Sequence, residues 1–181
     1  MCVPTVRGTE TEVQMPASPD DFKAALGRFA SGVTVVTLGG EEDHGMTASA
    51  FCSLSIDPPL VLVCVKNGNT THGKLLEAKG FGVNILGADQ KDLSNRFAGW
   101  GFPKDQDKWA DLEISRGAVS GAPFLPGALA HLDCSLYGTR DGGDHTIFIG
   151  QVENADSFGE RESLDALLYF AGAYRTVGDA L

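Results

Sequence analysis

Four hydroxyl side chains lie on one face of a predicted strand in the stretch GMTASAFCSLSIDPPLVLVCV, Gly45–Val65. Side-chain character alternates with period 2 in the first half of this stretch, which is typical of a strand with two different faces. One face carries Thr47, Ser49, Phe51, Ser53 and Ser55, and the other carries Met46, Ala48, Ala50, Cys52, Leu54 and Ile56. The hydroxyl row from Ser49 to Ser55 spans about 20 Å, which is comparable to an extended mononucleotide. The pattern fits either a row of ligand donors or a half-exposed hairpin whose hydroxyls face water.

The apolar run Leu60–Val65 predicts a second strand, buried on both faces. Asp57-Pro58-Pro59 comes before it and ends the hydroxyl-bearing strand, because proline lacks the N–H that a β-ladder requires. The two strands are therefore consecutive in the chain and joined by a short connection.

The loop after this run, Lys66–Thr71, is rich in hydrogen-bond donors. It leads into a short helix predicted over His72–Ala78, for which Thr70 or Thr71 is a suitable cap. Backbone N–H groups and hydroxyls at a helix start, with the Lys66 ammonium nearby, could bind a phosphate. An ordinary capped helix explains the same residues equally well.

His145 follows the glycine-containing turn Arg140–Asp144 and begins a predicted strand, His145–Val152. Taken alone, this position is typical of a surface histidine. The histidines and cysteines of the chain have no metal-ligand spacing, so neither a metal site nor a disulfide framework is predicted. These residues are His44, His72, His131, His145, Cys2, Cys52, Cys64 and Cys134.

A helix start is encoded by Ser18-Pro19-Asp20-Asp21, which supplies a cap, a first-turn proline and two carboxylates for the positive helix end. Phe22, Leu26 and Phe29 then recur on one apolar face. Ser31-Gly32 is expected to end this helix. The polar residues 1–17 predict a flexible arm, and residues 18–181 a single domain.

Strands dominate the rest of the chain. They are predicted over Val33–Leu38, Phe81–Leu86, Ala128–Thr139 and His145–Val152, with a last extended piece in Leu167–Val177. A second amphipathic helix is predicted over Ala88–Phe97, and residues 100–127 form a long Gly- and Pro-rich connection of a kind that is more often functional than idle. Six or seven strands and three short helices, linked by hairpins, predict a mainly β antiparallel barrel.

The composition of the chain limits the kinds of ligand that it is expected to bind. The chain has 181 residues and a formal net charge of -10, which argues against nucleic acid or an anionic membrane as a ligand. No apolar run approaches a transmembrane helix, and residues 1–15 have no signal-peptide core, so a cytoplasmic location is expected. No G-x-G-x-x-G follows a strand, so no Rossmann dinucleotide site is predicted.

Five segments, taken together and in this order, resemble the short-chain flavin reductases that supply reduced flavin to two-component monooxygenases. They are ALGRFASGVTVVT (Ala25–Thr37), GMTASAFCSLSIDPPLVLVCV (Gly45–Val65), GALAHLDC (Gly127–Cys134), GDHTIFIGQV (Gly143–Val152) and LLYFAGAYR (Leu167–Arg175). The resemblance covers nearly the whole chain from Phe22 onward. It implies an FMN-binding split β-barrel, Greek-key and antiparallel, that forms a homodimer and transfers hydride from NADH, with NADPH as an alternative, to FAD or FMN.

The resemblance also implies a set of site residues. Residues bordering the flavin ring would be Met46, Thr47, Ala48, Ser49 and Cys64; those along the ribityl chain and phosphate would be Ser53, Leu54, Ser55, Lys66 and Thr70. The ribityl–phosphate end would be closed by Arg96, Phe97 and Ala98, and Tyr174 and Arg175 would belong to the same pocket or to its dimer edge. His145, in the motif G-D-H, would lie beside the ring where the nicotinamide stacks and is the catalytic candidate.

Two other functions remain open at this point. One is a non-catalytic flavin-binding electron carrier on the same fold, which would retain its flavin and react slowly or not at all with NADH. The other is an oxidase of the pyridoxamine-phosphate type, which would need a phosphate clamp of several arginines that the site segments do not offer. The expected protein partner of a reductase is a flavin-dependent monooxygenase that receives the reduced flavin.

Overall fold

The computed structural model describes residues 17–103, 105–159 and 165–178, and the predicted mainly β class is confirmed. These residues contain the helices α1 (Pro19–Leu26), α2 (Thr70–Glu77) and α3 (Lys91–Ala98), the last preceded by a 3₁₀ turn. Of the predicted arm, residues 1–16 lie outside the described part of the chain. No helix within the described ranges is long and apolar enough to cross a bilayer.

The strands of the described chain vary from two to thirteen residues. They are β1 (Ser31–Gly32), β2 (Thr34–Leu38), β3 (His44–Ala48), β4 (Phe51–Ser55), β5 (Leu60–Lys66), β6 (Gly80–Ile85), β7 (Ser115–Arg116), β8 (Pro123–Phe124), β9 (Ala130–Gly142), β10 (His145–Ser157), β11 (Leu168–Phe170) and β12 (Ala173–Arg175).

Seven of them form the main sheet, in the order β3-β2-β6-β9-β10-β5-β4, and every neighbouring pair is antiparallel. The connection from β5 to β6 through α2 passes across the β9–β10 hairpin, a crossing of the Greek-key kind. Two small sheets, β1-β11-β12 and β7-β8, accompany the main sheet.

The hydroxyl-bearing stretch is two strands, so the prediction of a single strand was wrong. It divides at Ser49-Ala50 into β3 and β4, which lie at opposite edges of the main sheet. Because only these two residues join the edges, the sheet must curl until β3 and β4 come close together. The sheet is therefore an antiparallel barrel that is open along one seam. No local signal marks the bend, because the alternation continues through it and neither residue is Gly or Pro.

The inside of the curled sheet holds the larger of two hydrophobic clusters. We call the side facing this cluster the inner face of the sheet and the opposite side the outer face. The cluster consists of Val36, Leu38, Ala48, Val61, Val63, Val65, Leu75, Phe81, Val83, Cys134 and Phe148. The second cluster lies on the outer face of β2 and is formed by Val33, Val35, Leu86, Phe97, Leu125 and Leu167.

Helix α1 begins as predicted but ends sooner. Ser18 caps it by accepting a hydrogen bond from the Asp21 backbone N–H, and it ends at Leu26 because β1 pairs with β11 instead of continuing the helix. The predicted apolar residues, Phe22 and Leu26 in α1 and Phe29 just beyond its end, are not covered by the described part of the chain. Phe22, Leu26 and Phe29 are exposed by 59%, 51% and 72%.

Candidate functional site

A cavity of about 590 Å³ lies on the outer face of β4 and β5, within the size range of small-molecule sites. Its walls are the end of α1 with the segment that follows, and the turn between β11 and β12. The lining residues are mostly apolar: Leu26, Gly27, Phe29, Ser31, Ser49, Ala50, Phe51, Cys52, Leu62, Cys64, Tyr169, Phe170, Ala171 and Gly172.

Strand β5 supplies residues to the core and to this cavity in alternation. Val61, Val63 and Val65 pack in the inner cluster, whereas Leu62 and Cys64 line the cavity. This is the period-2 geometry of a strand. The apolar run Leu60–Val65 is therefore a strand, as predicted, but one of its faces borders a cavity.

The same alternation places His145 on the outer face, just beyond the residues that line the cavity. Lys66 lies on the outer face two residues beyond Cys64, about 7 Å further along the strand. The register of β10 against β5 pairs His145 with Lys66 and Ile147 with Cys64. Because directly paired residues share a face of the sheet, His145 and Lys66 stand together at one end of the cavity floor.

Asp144 fixes the imidazole of His145 at this position. The Oδ1 atom of Asp144 lies 2.7 Å from Nδ1 of His145. This hydrogen bond, together with the attraction of the imidazole charge, lowers the pKa of the Asp144 carboxyl below its ordinary value. The carboxylate therefore stays ionised and orients the ring through Nδ1.

A second, smaller cavity of about 170 Å³ adjoins the first. Ser49 and Tyr169 line both cavities, so they mark the boundary between the two. The smaller one is lined by Val33, Thr47, Ser49, Ala98, Trp100, Tyr169 and Tyr174. The structure therefore brings four predicted site residues, Thr47, Ser49, Ala98 and Tyr174, to one place.

Ser94 connects two of these residues and was missed by the sequence interpretation. It is fully buried in α3; its hydroxyl lies 2.8 Å from Oη of Tyr174, and its carbonyl accepts a hydrogen bond from Oγ1 of Thr47 at 2.6 Å. The Thr47 hydroxyl thus donates its proton to the backbone of α3. Helical spacing could have identified Ser94, because it lies three residues before Phe97, an apolar residue of the predicted amphipathic helix.

The predicted row of ribityl and phosphate ligands is not assembled. Ser53 pairs with Val61 and Ser55 with Leu60, at the far end of β5 from Lys66. The six residue-to-residue steps along β5 from Leu60 to Lys66 amount to about 20 Å. Ser53 and Ser55 therefore do not share a phosphate site with Lys66, because the antiparallel register places them at the opposite end of the strand.

Leu54 also lies away from the cavity, and 47% of it is exposed. A register irregularity between Ser53 and Ser55 leaves it without a paired residue. On the other edge strand, Ala48 is buried and Met46 packs against the inner cluster, so both side chains belong to the core. If Met46 and Ala48 border a flavin ring as predicted, they can do so only through their backbone atoms.

Arg96 and Phe97 both contact the long connection, residues 100–127. The guanidinium of Arg96 donates to the carbonyl oxygen of Ala110 at 3.2 Å and lies 5.1 Å from the centre of the Phe102 ring. Phe97 is buried in the outer cluster, 4.9 Å from the ring of Trp109. The flavin-closing role of these two side chains stays a prediction. Arg175 is exposed and donates to the Tyr174 carbonyl.

Much of the donor-rich loop is committed to protein contacts. Asn69, and neither predicted threonine, caps α2 by accepting from the His72 backbone N–H at 2.7 Å. The hydroxyl of Thr71 lies 2.7 Å from Nε2 of His44, whose pKa is lowered by burial and then by the nearby lysines. Lys66 and Thr70 are exposed and remain the members of this loop that could meet a phosphate.

Two of the described cysteines, Cys64 and Cys134, are unsuited to nucleophilic chemistry. Burial, with a further contribution from Cys52, raises the pKa of the Cys64 thiol. Burial raises the pKa of Cys134 to about 12. Both thiols therefore stay protonated at neutral pH and act as small apolar groups. Within the described ranges, no three His, Cys, Asp or Glu side chains form a group that could hold a metal ion.

Comparison with known proteins assigns a family to this arrangement. Residues 26–178 match the flavin reductase like domain. The chain belongs to this family. A relative of Streptomyces globisporus, the NADH-dependent FAD reductase, is 39% identical over 164 residues, which are 91% of this chain and 88% of the relative.

Two solved structures of the family are also similar. BorF, the flavin reductase component of a bacterial two-component tryptophan halogenase, has 42% identity and a TM-score of 0.81, and the match covers 90% of this chain and 100% of that chain. The Streptomyces globisporus C-1027 NADH:FAD oxidoreductase SgcE6, solved in complex with NAD and FAD fragments, has 36% identity and a TM-score of 0.80, covering 91% and 98%. The resemblance noted in the sequence is thereby confirmed.

Proposed function

We propose that this chain is an NADH:flavin oxidoreductase that transfers hydride from NADH to FAD or FMN and supplies the reduced flavin to a partner monooxygenase. The family and the names of its relatives support the activity. The observation that carries the proposal is the apolar cavity on the outer face of β4 and β5, with His145 and Lys66 at one end of its floor.

The cavity fits the planar, largely apolar ring of a flavin. Its floor is built from short or slender side chains, namely Ser49, Ala50, Leu62 and Cys64, which let a ring approach the strands closely. In our proposal these residues border the ring, and Lys66 with Thr70 meets the phosphate. Lys66 and Thr70 would both contact the phosphate at the Lys66 end of β5.

When bound, the flavin accepts a hydride from the nicotinamide, so the protein needs no nucleophile of its own. The protein must align two rings and exclude water. The apolar walls from α1 and the β11–β12 turn serve the second purpose. His145 offers a hydrogen bond or a positive charge at the edge of the ring stack, where it would stabilise negative charge on the reduced flavin.

A second copy of the chain is the expected partner for the apolar face of α1. Phe22, Leu26 and Phe29 project from the described chain over an area that borders the cavity. Exposed apolar groups of this size are typical of interfaces. We expect light scattering to report a dimer for the unaltered chain and a monomer for Phe29→Asp. Val119→Asp, at an exposed apolar residue elsewhere, should remain dimeric.

The partner monooxygenase is inferred from relatives such as BorF, which is the reductase component of a two-component system. Reduced flavin would leave the exposed cavity and diffuse to that partner. The cytoplasmic location expected from the sequence agrees with an NADH-dependent reaction and is part of this proposal.

The test is NADH consumption by the purified chain, followed through the nicotinamide absorbance, with and without added FAD or FMN. The proposal expects rapid oxidation that saturates with one of the flavins and reveals the preferred one. An electron carrier would instead retain bound flavin and leave both NADH and NADPH untouched.

A further inference from the structure

We propose that Asn67 is a positioning residue for hydride transfer, which acts by holding the tip of the β9–β10 hairpin so that His145 stays at the end of the cavity floor. The inference rests on the proposed function, and on the role of His145 within it. Asn67 belongs to the Lys66–Thr71 loop, which the sequence analysis described only as rich in hydrogen-bond donors.

Asn67 makes three hydrogen bonds to the hairpin tip. Its backbone N–H donates to the carbonyl oxygen of Asp144 at 3.0 Å, and its side-chain Nδ2 donates to the carbonyl oxygen of Gly143 at 3.1 Å. Its Oδ1 accepts from the hydroxyl of Thr146 at 2.8 Å. The contacts fall on both sides of His145 in the chain, so they fix the backbone that carries the imidazole.

The direction of these hydrogen bonds is determined by their chemistry. The carbonyl of Gly143 can only accept, so the Asn67 atom that faces it must be Nδ2. Oδ1 then faces Thr146, which must give up its only hydroxyl proton. The Thr146 oxygen, 2.9 Å from Nε2 of His72, therefore accepts the proton of that nitrogen. The network has one consistent orientation.

The network is also anchored away from the hairpin. His72 lies in the first turn of α2, and its ring packs edge-on against Phe148, which is fully buried in the inner cluster. Asn67 itself continues directly from β5. The hairpin tip is thus tied to the core through His72 and to the cavity floor through β5.

The tip would be loosely held without this anchor. Its two-residue turn, Gly143-Asp144, is exposed, and Gly143 has a positive φ of 78°. A shift of about 1 Å in a reacting geometry can cost on the order of 100-fold in rate. Truncating Asn67 should therefore impair the step that depends on His145, although Asn67 does not line the cavity.

The experiment is a double-mutant cycle of Asn67→Ala and His145→Ala, with kcat/KM for NADH and KM for flavin measured separately. We expect Asn67→Ala to lower kcat/KM for NADH by about tenfold, with KM for flavin within about twofold of its original value. In the His145→Ala background the same substitution should have no further effect, because coupled residues are non-additive. Circular dichroism and a thermal scan establish that each variant is folded.

Ser135→Ala is the matched control. It removes a side-chain hydrogen bond to Glu153 from the same hairpin, far from the tip, and should leave kcat/KM unchanged. An undiminished kcat/KM in Asn67→Ala would overturn the inference, and so would an equal loss with and without His145. If His145→Ala alone changes nothing, the inference also fails although the chain is still a reductase. No NADH oxidation by the unaltered chain would instead refute the proposed function.

Discussion

The two faces of β5 carry similar apolar side chains and do different work. On the inner face Val61, Val63 and Val65 are buried in a closely packed core. On the outer face Leu62 and Cys64 are only partly buried and line a cavity. Hydrophobic residues on one strand can therefore stabilise the fold on one side and form a ligand surface on the other.

Two other parts of the outer face are covered by the protein itself. Helix α3 lies over β3, to which it is tied by the hydrogen bond from Thr47 to the Ser94 carbonyl. The segment around Val119 and Ser120 lies over β9, where both backbone N–H groups donate to the carboxylate of Asp133. The outer face over β4 and β5 differs from these two parts, because a cavity lies there instead of a helix or loop packed directly on the strands.

The largest expected effect is on the inner face. Phe148 is fully buried opposite Val63, and Phe148→Ala should lower the free energy of unfolding by about 3–5 kcal/mol. For a chain of this length that corresponds to a fall in Tm of roughly 6–20 °C. Ile147→Ala, the adjacent outer-face residue, should cost clearly less. Equal losses in urea denaturation would remove the distinction between the two faces.

The next effect is on the outer face of β5, where a substitution should change flavin binding more than stability. Cys64→Phe places a ring in the cavity and should weaken flavin binding at least about tenfold, because a lost contact of about 1.4 kcal/mol already has that effect. Its unfolding free energy should change by less than about 1 kcal/mol, as is usual for a partly exposed site. Flavin fluorescence titration measures the binding. Leu54→Phe, outside the cavity, is the control that should bind normally; unchanged binding by Cys64→Phe would mean that the flavin lies elsewhere.

The smallest effect concerns the loop that covers β9. Burial raises the pKa of Asp133, but the hydrogen bonds from Ser120 and Val119, with one from Asn154, outweigh it, so the net pKa is lowered. A carboxyl whose folded pKa is depressed contributes stability above its unfolded pKa and loses it as pH falls through the folded pKa. This contribution should therefore begin to decline as pH falls below about 4, and it should be lost once pH falls below the folded pKa.

Asp133→Asn should lower the unfolding free energy by about 1–3 kcal/mol at neutral pH. As pH falls below about 4, the variant and the unaltered chain should converge. Urea denaturation at a series of pH values measures both. A difference that stays constant with pH would show that the Asp133 carboxylate charge does not hold the loop.

Local signals in the sequence were sufficient for many elements. Ser18 with its following proline and carboxylates placed the start of α1, and the run Leu60–Val65 placed β5. Asp57-Pro58-Pro59 correctly marked the end of β4. These features depend on neighbouring residues alone, so composition and spacing predict them.

Site residues could be predicted only where a local sequence motif identifies them. Ser49 and His145 were named because they sit in motifs of the family. Ser55 and Lys66 were joined wrongly, since their separation depends on the register between β4 and β5, which the sequence does not specify. Asn67 was not recognised as a residue that holds the hairpin, because its side-chain partners lie 76 and 79 residues away in the sequence.

The most direct test of the account is anaerobic mixing of NADH and FAD with a catalytic amount of the chain, while flavin absorbance is recorded. The account predicts that the flavin bleaches at a rate proportional to the amount of chain, with one NADH consumed for each flavin reduced, because a hydride carries two electrons. Bleaching no faster than in the absence of the chain would contradict it.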